Sequence, residues 1–154
     1  MTLTANHDIS SSFNGDALVS NGTLAVDGNI VRSETVRVVS GAFLGGTGTV
    51  HHAEIAAGGG FRQKAGNATP LRISGDLSIG ANPVFRIDNP QGLDAKSVKA
   101  VVFSATGTVT GTDNLANATF YLDGELQKPG TWIALYSAGR CTVKAQSGTM
   151  LILK

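Results

Sequence analysis

Three successive stretches decide the fold: VRVVSGAFLGGTGTV (36–50), AEIAAGGGFRQKAGN (53–67) and LRISGDLSIGANPVFRID (71–88). Each contains short runs that alternate apolar and polar residues, a period of two that belongs to strands rather than helices. Each opening run breaks at a small residue followed by glycine, at Ser40-Gly41, Ala57-Gly58 and Ser74-Gly75. The turn glycines Gly41, Gly58 and Gly75 stand 17 residues apart, and self-similarity at a fixed interval marks stacked units rather than a closed sandwich. Aligned on them, Val38, Ile55 and Ile73 superimpose within one residue and are expected to stack in the interior. Phe43 and Phe61 fall 18 apart, as do Phe85 and Phe103, which predicts ring-on-ring contact between neighbouring coils.

A coil of about 17 residues, rising about 3.3 Å per strand residue, holds three short strands separated by tight turns. Parallel pairing then needs no helical crossover, because the rest of each coil returns the chain to its starting edge. Gly45-Gly46, Gly58-Gly59-Gly60, Gly66-Asn67 and Gly80-Ala81-Asn82 are the expected corners, and Asn67 and Asn82 are expected to share one corner edge. The fold class expected is all-β, a single-stranded parallel β-helix (β-solenoid).

Away from these stretches the composition agrees. Glycine is abundant at 20 residues, and charged residues make up 15 % of the chain, below the roughly 25 % of ordinary soluble domains. No apolar stripe of helical period persists. After about Gly92 the repeat fails. VKAVVF, TFYLDGELQ, WIALYSAG, RCTVKA and TMLILK, separated by Asp-Gly, Pro-Gly, Ala-Gly and Ser-Gly, read as antiparallel hairpins. The expected division is therefore coils with a leading segment over 1–92 and an antiparallel hairpin-rich C-terminal cap over 93–154, packed together as one unit. A cap is needed because an open stack exposes strand edges; Trp132, Phe120 and Tyr121 are its expected lids.

The chain resembles the autotransporter-associated β-strand repeat family over 22–154. The resemblance rests on NGTLAVDGNI (21–30), on the three stretches quoted above, and most specifically on GAFLGGTGTV. It implies a right-handed parallel β-helix of passenger type, exported to the extracellular space or cell surface, whose repeats aid folding or the presentation of adhesive modules. It defines no catalytic residues. The outer-membrane barrel that often follows in the family has no counterpart here, since ten-residue alternating strands with aromatic flanks are missing. GGGFRQKAGN also departs from the family's apolar-Pro-Gly-Asn corner.

The candidates for chemistry are few. His51-His52 is the only adjacent pair with metal-ligand chemistry, but neighbours on a strand point to opposite faces, and His7 completes no zinc spacing. Glu54, Asp76, Asp88 and Asp94 are the carboxylates for acid–base work on a polysaccharide; their offsets from the repeat glycines differ, so they are not expected on one face. GGTGTV lacks the Lys-Ser/Thr pair of a phosphate loop. Ser10-Ser11-Ser12 reads as part of a polar leading coil, and the Asn-X-Thr triplets at Asn21, Asn67 and Asn117 as a chance product of a Thr-rich repeat. Cys141 alternates with Val143 and reads as a buried small hydrophobe, so no disulfide framework exists. Trp132 and Tyr136 lie four apart on one strand face and are the candidate ligand-binding aromatics, with capping as their other role.

A net charge of +1 gives no footprint for nucleic acid. Met1 to Ser12 has neither the basic nor the apolar region of a signal peptide, and no run of about 20 apolar residues suggests direct membrane insertion. The expected function is that of a structural or surface-display segment, not an enzyme, with no metal or cofactor. Host-surface or extracellular glycan or protein ligands are the partners this implies, and nothing in the sequence sets the oligomeric state. The alternatives are a carbohydrate-binding module and a fragment of a polysaccharide-degrading enzyme.

Overall fold

A computed structural model describes residues 2–5, 15–67 and 69–146. It is all-β. The chain runs β1 (Thr2–Ala5), β2 (Gly15–Val19); β3 (Gly22–Val26), β4 (Asn29–Val38); β5 (Ala42–Gly45), β6 (Thr49–Ile55); and β7 (Gly60–Lys64), β8 (Leu71–Ile73), β9 (Leu77–Ile79). It continues with β10 (Val84–Asp88), β11 (Lys99–Ala105), β12 (Val109–Thr110); β13 (Thr119–Leu122), β14 (Glu125–Leu126); and β15 (Trp132–Ser137), β16 (Arg140–Ala145). Two 3₁₀ turns, Ala95–Ser97 and Thr112–Asn117, are the only helical pieces among the described residues, and no helix there is long and apolar enough to cross a membrane.

The strands form two sheets. β1, β3, β5, β7, β10 and β13 follow one another across the first, with β14 at its edge, while the second gathers β2, β4, β6, β8, β9, β11, β12, β16 and β15. From β1 to β13 each strand pairs in parallel with the equivalent strand of a neighbouring circuit. The chain crosses from one sheet to the other and back, so the crossover that parallel pairing requires is itself a strand of the opposite sheet.

Side chains of like kind therefore stack inward. On the first sheet Leu24, Leu44, Phe61, Phe85 and Phe120 occupy one column in register. Rings of Phe61 and Phe85 lie 5.9 Å apart and nearly parallel, and Phe85 and Phe120 5.7 Å apart. Phe103 reaches across the core from β11 to within 4.9 Å of Phe61. Trp132 closes the column on Phe120 at 6.3 Å. On the second sheet Val19, Val38, Ile55 and Ile79 form one buried column, and Ile30, Val50 and Ile73 another.

Several expectations change. Val38, Ile55 and Ile73 are all buried, but Ile55 pairs with Ile79, and Ile73 pairs with Val50. The reason is that the circuit is not constant. Val38 and Ile55 are 17 apart, whereas the next circuit is longer between β7 and β8 and the interval becomes 24. The one after adds the Ala95–Ser97 turn and reaches 32. Gly41 and Gly58 are true equivalents, joined by Gly41 N–H to Gly58 C=O at 3.1 Å, both in the left-handed region at φ 82° and 79°. The next place in that corner is held not by Gly75 but by Asn82, at φ 52°. Asn67 and Asn82 lie at opposite ends of the paired strands β7 and β10, so they share no edge.

Phe43 is buried on the outside of the first sheet. It is Leu44 that pairs with Phe61, while Phe43 faces the other way under the Arg86 guanidinium, 5.5 Å from the ring centroid. Phe85 and Phe103 sit in different sheets and are not stacked as an 18-residue pair. Parallel pairing also runs past Gly92, through β11, β12 and β13. Among the described residues only β14, β15 and β16 are antiparallel additions: the Asp123-Gly124 hairpin, the Ala138-Gly139 hairpin, and the β16 pairing along β11. The boundary fails because VKAVVF carries a strand pattern that does not reveal which neighbour it pairs with. TMLILK, read as a further strand, lies outside the described residues.

The aromatic column gives a sharp test. Phe85→Ala is expected to cost about 3–5 kcal/mol, since it opens a cavity between two stacked rings. Phe43→Ala is expected to cost about 1–2 kcal/mol, the loss of an outer-face contact with Arg86. Urea titrations of the two variants check this; equal losses would contradict the register.

Candidate functional site

The outer face of the second sheet carries the polar residues that the parallel register brings into rows. Thr35 pairs with His52, and Arg37 with Glu54, which pairs with Ser78, which pairs with Thr110. Asp76 and Thr108 continue the row of His52. Thr35, His52, Glu54, Asp76, Ser78, Thr108 and Thr110 line a concavity of about 390 Å³. Sequence offsets place Glu54 and Asp76 on unrelated faces, yet the unequal circuit lengths bring both here. Asp88 and Asp94 stay elsewhere: Asp88 grips Arg62 from the first sheet, and the Asp94 carbonyl accepts Ser97 N–H at the head of a 3₁₀ turn.

Three polar groups of this row, His52, Asp76 and Glu54, are engaged by neighbouring residues. His52 Nδ1 accepts the Asp76 backbone N–H at 2.8 Å, which places the proton of a neutral ring on Nε2. One Asp76 carboxylate oxygen, Oδ1, accepts Thr108 N–H at 2.9 Å. Arg37 pairs with both Asp16 and Glu54, the latter at 3.6 Å, and these contacts raise its pKa, the hydrogen bond that it donates to Asp16 first. The same device recurs on another corner, where Asp27 Oδ1 accepts from Thr47 N–H and Oγ1. These bonds join one circuit to the next and satisfy turn amides that no strand partner reaches.

The two histidines are not on opposite faces. Their ring centroids are 3.9 Å apart. β6 pairs with β8 up to Val50 and with β9 from Ala53, leaving His51 and His52 opposite Ser74-Gly75-Asp76 across an irregular register. A bulge breaks strict alternation. Gly75 is required there for approach rather than for φ, because a Cβ would sit 2.4 Å from His52 Nδ1. Among the described residues no three His, Cys, Asp or Glu side chains converge to hold a metal.

A second concavity of about 440 Å³ lies along the first sheet, lined by Asp27, Thr47, Arg62, Lys64, Asn67 and Asp88 among others. Arg62 donates to both Asp88 oxygens at 2.9 and 3.2 Å, and that hydrogen bonding raises its pKa. Gln63 beside it is buried at an inward position, its Nε2 donating to Gly46 C=O at 2.7 Å and to Val102 C=O at 3.0 Å. It stitches three circuits together through the core. The signal was present in GFRQK, where alternation from Phe61 makes Gln63 inward-facing. Asn67, one of the Asn-X-Thr residues, is tied to Thr69 by side-chain bonds.

The chain matches no family model, no curated protein and no solved structure.

Trp132 is 6 % exposed and packs on Phe120, and the half-buried Tyr136 ring packs on Phe103 at 6.1 Å. Both candidate ligand-binding aromatics thus have a ring face turned into the core, because β15 is held over the end of the stack by β16. Cys141 is buried opposite Tyr136, and burial pushes its thiol up to about 12. His7 and Ser10-Ser11-Ser12 lie outside the described residues.

Two expected outcomes follow from these contacts. Gly75→Ala is expected to cost about 1–3 kcal/mol by displacing the imidazoles, and roughly half of that loss should vanish in a His52→Ala background. A double-mutant cycle by chemical denaturation reads the coupling; full additivity would contradict it. For Cys141, the folded pKa lies above the ordinary value of 9.0, so its contribution is present below about pH 9 and is lost as pH rises toward 12. Stability relative to Cys141→Val should fall by about 1.4 kcal/mol per pH unit across that window; parallel urea midpoints would contradict it.

Proposed function

We propose that the chain is a right-handed parallel β-helix segment of an exported bacterial protein, working as structural or display architecture at the cell surface rather than as an enzyme. The observation that carries this reading is the parallel ladder from β1 to β13, whose interior is filled by stacked apolar columns. Such a stack grows by adding circuits, each contacting only its neighbours, so its length and outer face are set without any catalytic centre. The polar groups of the outer rows support the same reading. Asp76, His52, Asp27 and Glu54 are engaged in bonds between circuits, whereas acid–base chemistry needs a carboxyl held protonated beside a free base. The phrases GAFLGGTGTV and LRISGDLSIGANPVFRID, similar to the autotransporter-associated repeat, supply the export and surface part of the proposal.

A carbohydrate-binding role is the second reading, favoured by the concavity lined by Thr35, His52, Glu54, Asp76, Ser78 and Thr108. Hydroxyls, carboxylates and an imidazole in rows suit a polyhydroxylated chain lying along the sheet.

In cells carrying the natural gene, an antibody to the folded segment is expected to label intact, unpermeabilised cells or to recover the protein from the medium. Confinement to the cytosolic fraction would overturn the proposal. Incubation with pectin- and alginate-like polymers should release neither reducing ends nor unsaturated uronates; turnover lost in Glu54→Gln or Asp76→Asn would instead establish an enzyme.

A further inference from the structure

The outer face of the second sheet changes character toward its capped end, where β8, β11, β16 and β15 lie side by side. Their inward residues, among them Leu71, Phe103, Cys141 and Trp132, are buried. Alternation therefore turns Arg72, Lys99, Arg140 and Lys144 outward, and all four are exposed. These strands hold four of the chain's 12 basic residues and none of its 11 acidic ones. Among the described residues the ion pairs belong to Arg37 and Arg62, so no carboxylate neutralises any of the four. Arg72, Ser104, Arg140 and Ser137 follow one another in register across the sheet. In a second row Lys99 stands directly opposite Lys144, with Ile133 beyond it, and between the two rows run Val101, Thr142 and Leu135.

Like charges directly opposite one another destabilise a strand pair, and four cations without counter-charges on one face repel one another. A partner bearing oxyanions reverses both effects. Arg72 and Arg140 lie two strands apart, about 10 Å, and Arg140 and Lys144 four residues apart, about 13 Å. That spread calls for several negative groups on one extended molecule rather than for a single ion. The middle row is apolar but recessed, because Lys and Arg stems outreach Val101 and Leu135; it can touch a chain lying on the cations and does not enter the hydrocarbon of a bilayer. Phe103, Trp132 and Tyr136 all turn inward, so the face lacks the stacking platform that nucleic-acid bases use. We propose that this strip binds an extended polysaccharide that carries carboxylates along its length. The forks of Arg72 and Arg140 and the paired ammonium groups of Lys99 and Lys144 take the carboxylates, and Ser104 and Thr142 take sugar hydroxyls. The strip lies on other strands than those of the His52 concavity and requires no export, so it stands or falls apart from both readings above.

Calorimetric titration of the full chain with polygalacturonate tests it. Binding is expected at about 0.05 M salt and should weaken about tenfold or more by about 0.3 M, while neutral dextran does not bind. Arg72→Gln and Arg140→Gln should each weaken binding by up to about fivefold, the most that an exposed ion pair usually contributes. Lys144→Glu should weaken it by about tenfold or more, since an attraction becomes a repulsion. The same change should raise the Tm by about 1–3 °C, because it relieves the repulsion of Lys99, and lost binding in a more stable chain is not misfolding. Should Lys144→Glu fail to fold, Lys144→Gln reads the same contact. Lys128→Glu makes an equal change in net charge outside these four strands and should bind as the natural chain does. Three results would overturn the proposal: no binding of polygalacturonate, equal weakening by Lys128→Glu and Lys144→Glu, or tighter binding of single-stranded DNA or of phosphatidylglycerol vesicles than of polygalacturonate.

Discussion

The inward stacking of side chains across the parallel ladder is the contact on which everything else rests. Parallel register places each residue over its equivalent one circuit away, so Leu24, Leu44, Phe61, Phe85 and Phe120 form a single column and Val19, Val38, Ile55 and Ile79 another. With a narrow interior between two sheets, a column that is apolar at every level excludes water without help from a helix. The only buried polar side chains among the described residues are Thr23 and Gln63, and the Gln63 amide donates to two carbonyls. That is how an inward polar group is tolerated in such a core.

The outer faces follow from the same geometry. A parallel register that stacks apolar residues inside also lines up polar ones outside, and these are used to hold the corners: Asp27 with Thr47, His52 with Asp76, Asp76 with Thr108. Where the register carries Arg86 over both Phe43 and Tyr121 at 5.5 Å, a cation lies between rings from different circuits. These contacts are architectural in kind.

The circuits lengthen toward the capped end. The first inter-circuit intervals are close to 17–20 residues, and the later ones reach 24 and 32 as corner insertions appear. Insertions at corners leave the ladder intact because they add residues outside the sheets, where backbone groups are met by turns such as those of Asn67 and Asn89. At the end, β16 reverses direction along β11 and carries β15 over the stack. This gives the last parallel strand of the second sheet a partner and lets Trp132 terminate the aromatic column.

Alternation in VRVV, AEI and LRI, and the left-handed turns at Gly41 and Gly58, were legible directly in the sequence because they depend only on local backbone geometry. So were the hairpins at Asp123-Gly124 and Ala138-Gly139, whose residues suit positive φ. What sequence spacing did not reveal was which residue lies above which. Ile55 is paired with Ile79 rather than Ile73 because one extra corner resets the register of every later strand, and Phe43 faces out while Leu44 faces in because it is Leu44 that falls opposite Phe61. The meeting of His51 with His52, and of Glu54 with Asp76, was equally hidden, since it depends on a bulge and on circuit lengths that only the folded chain adds up.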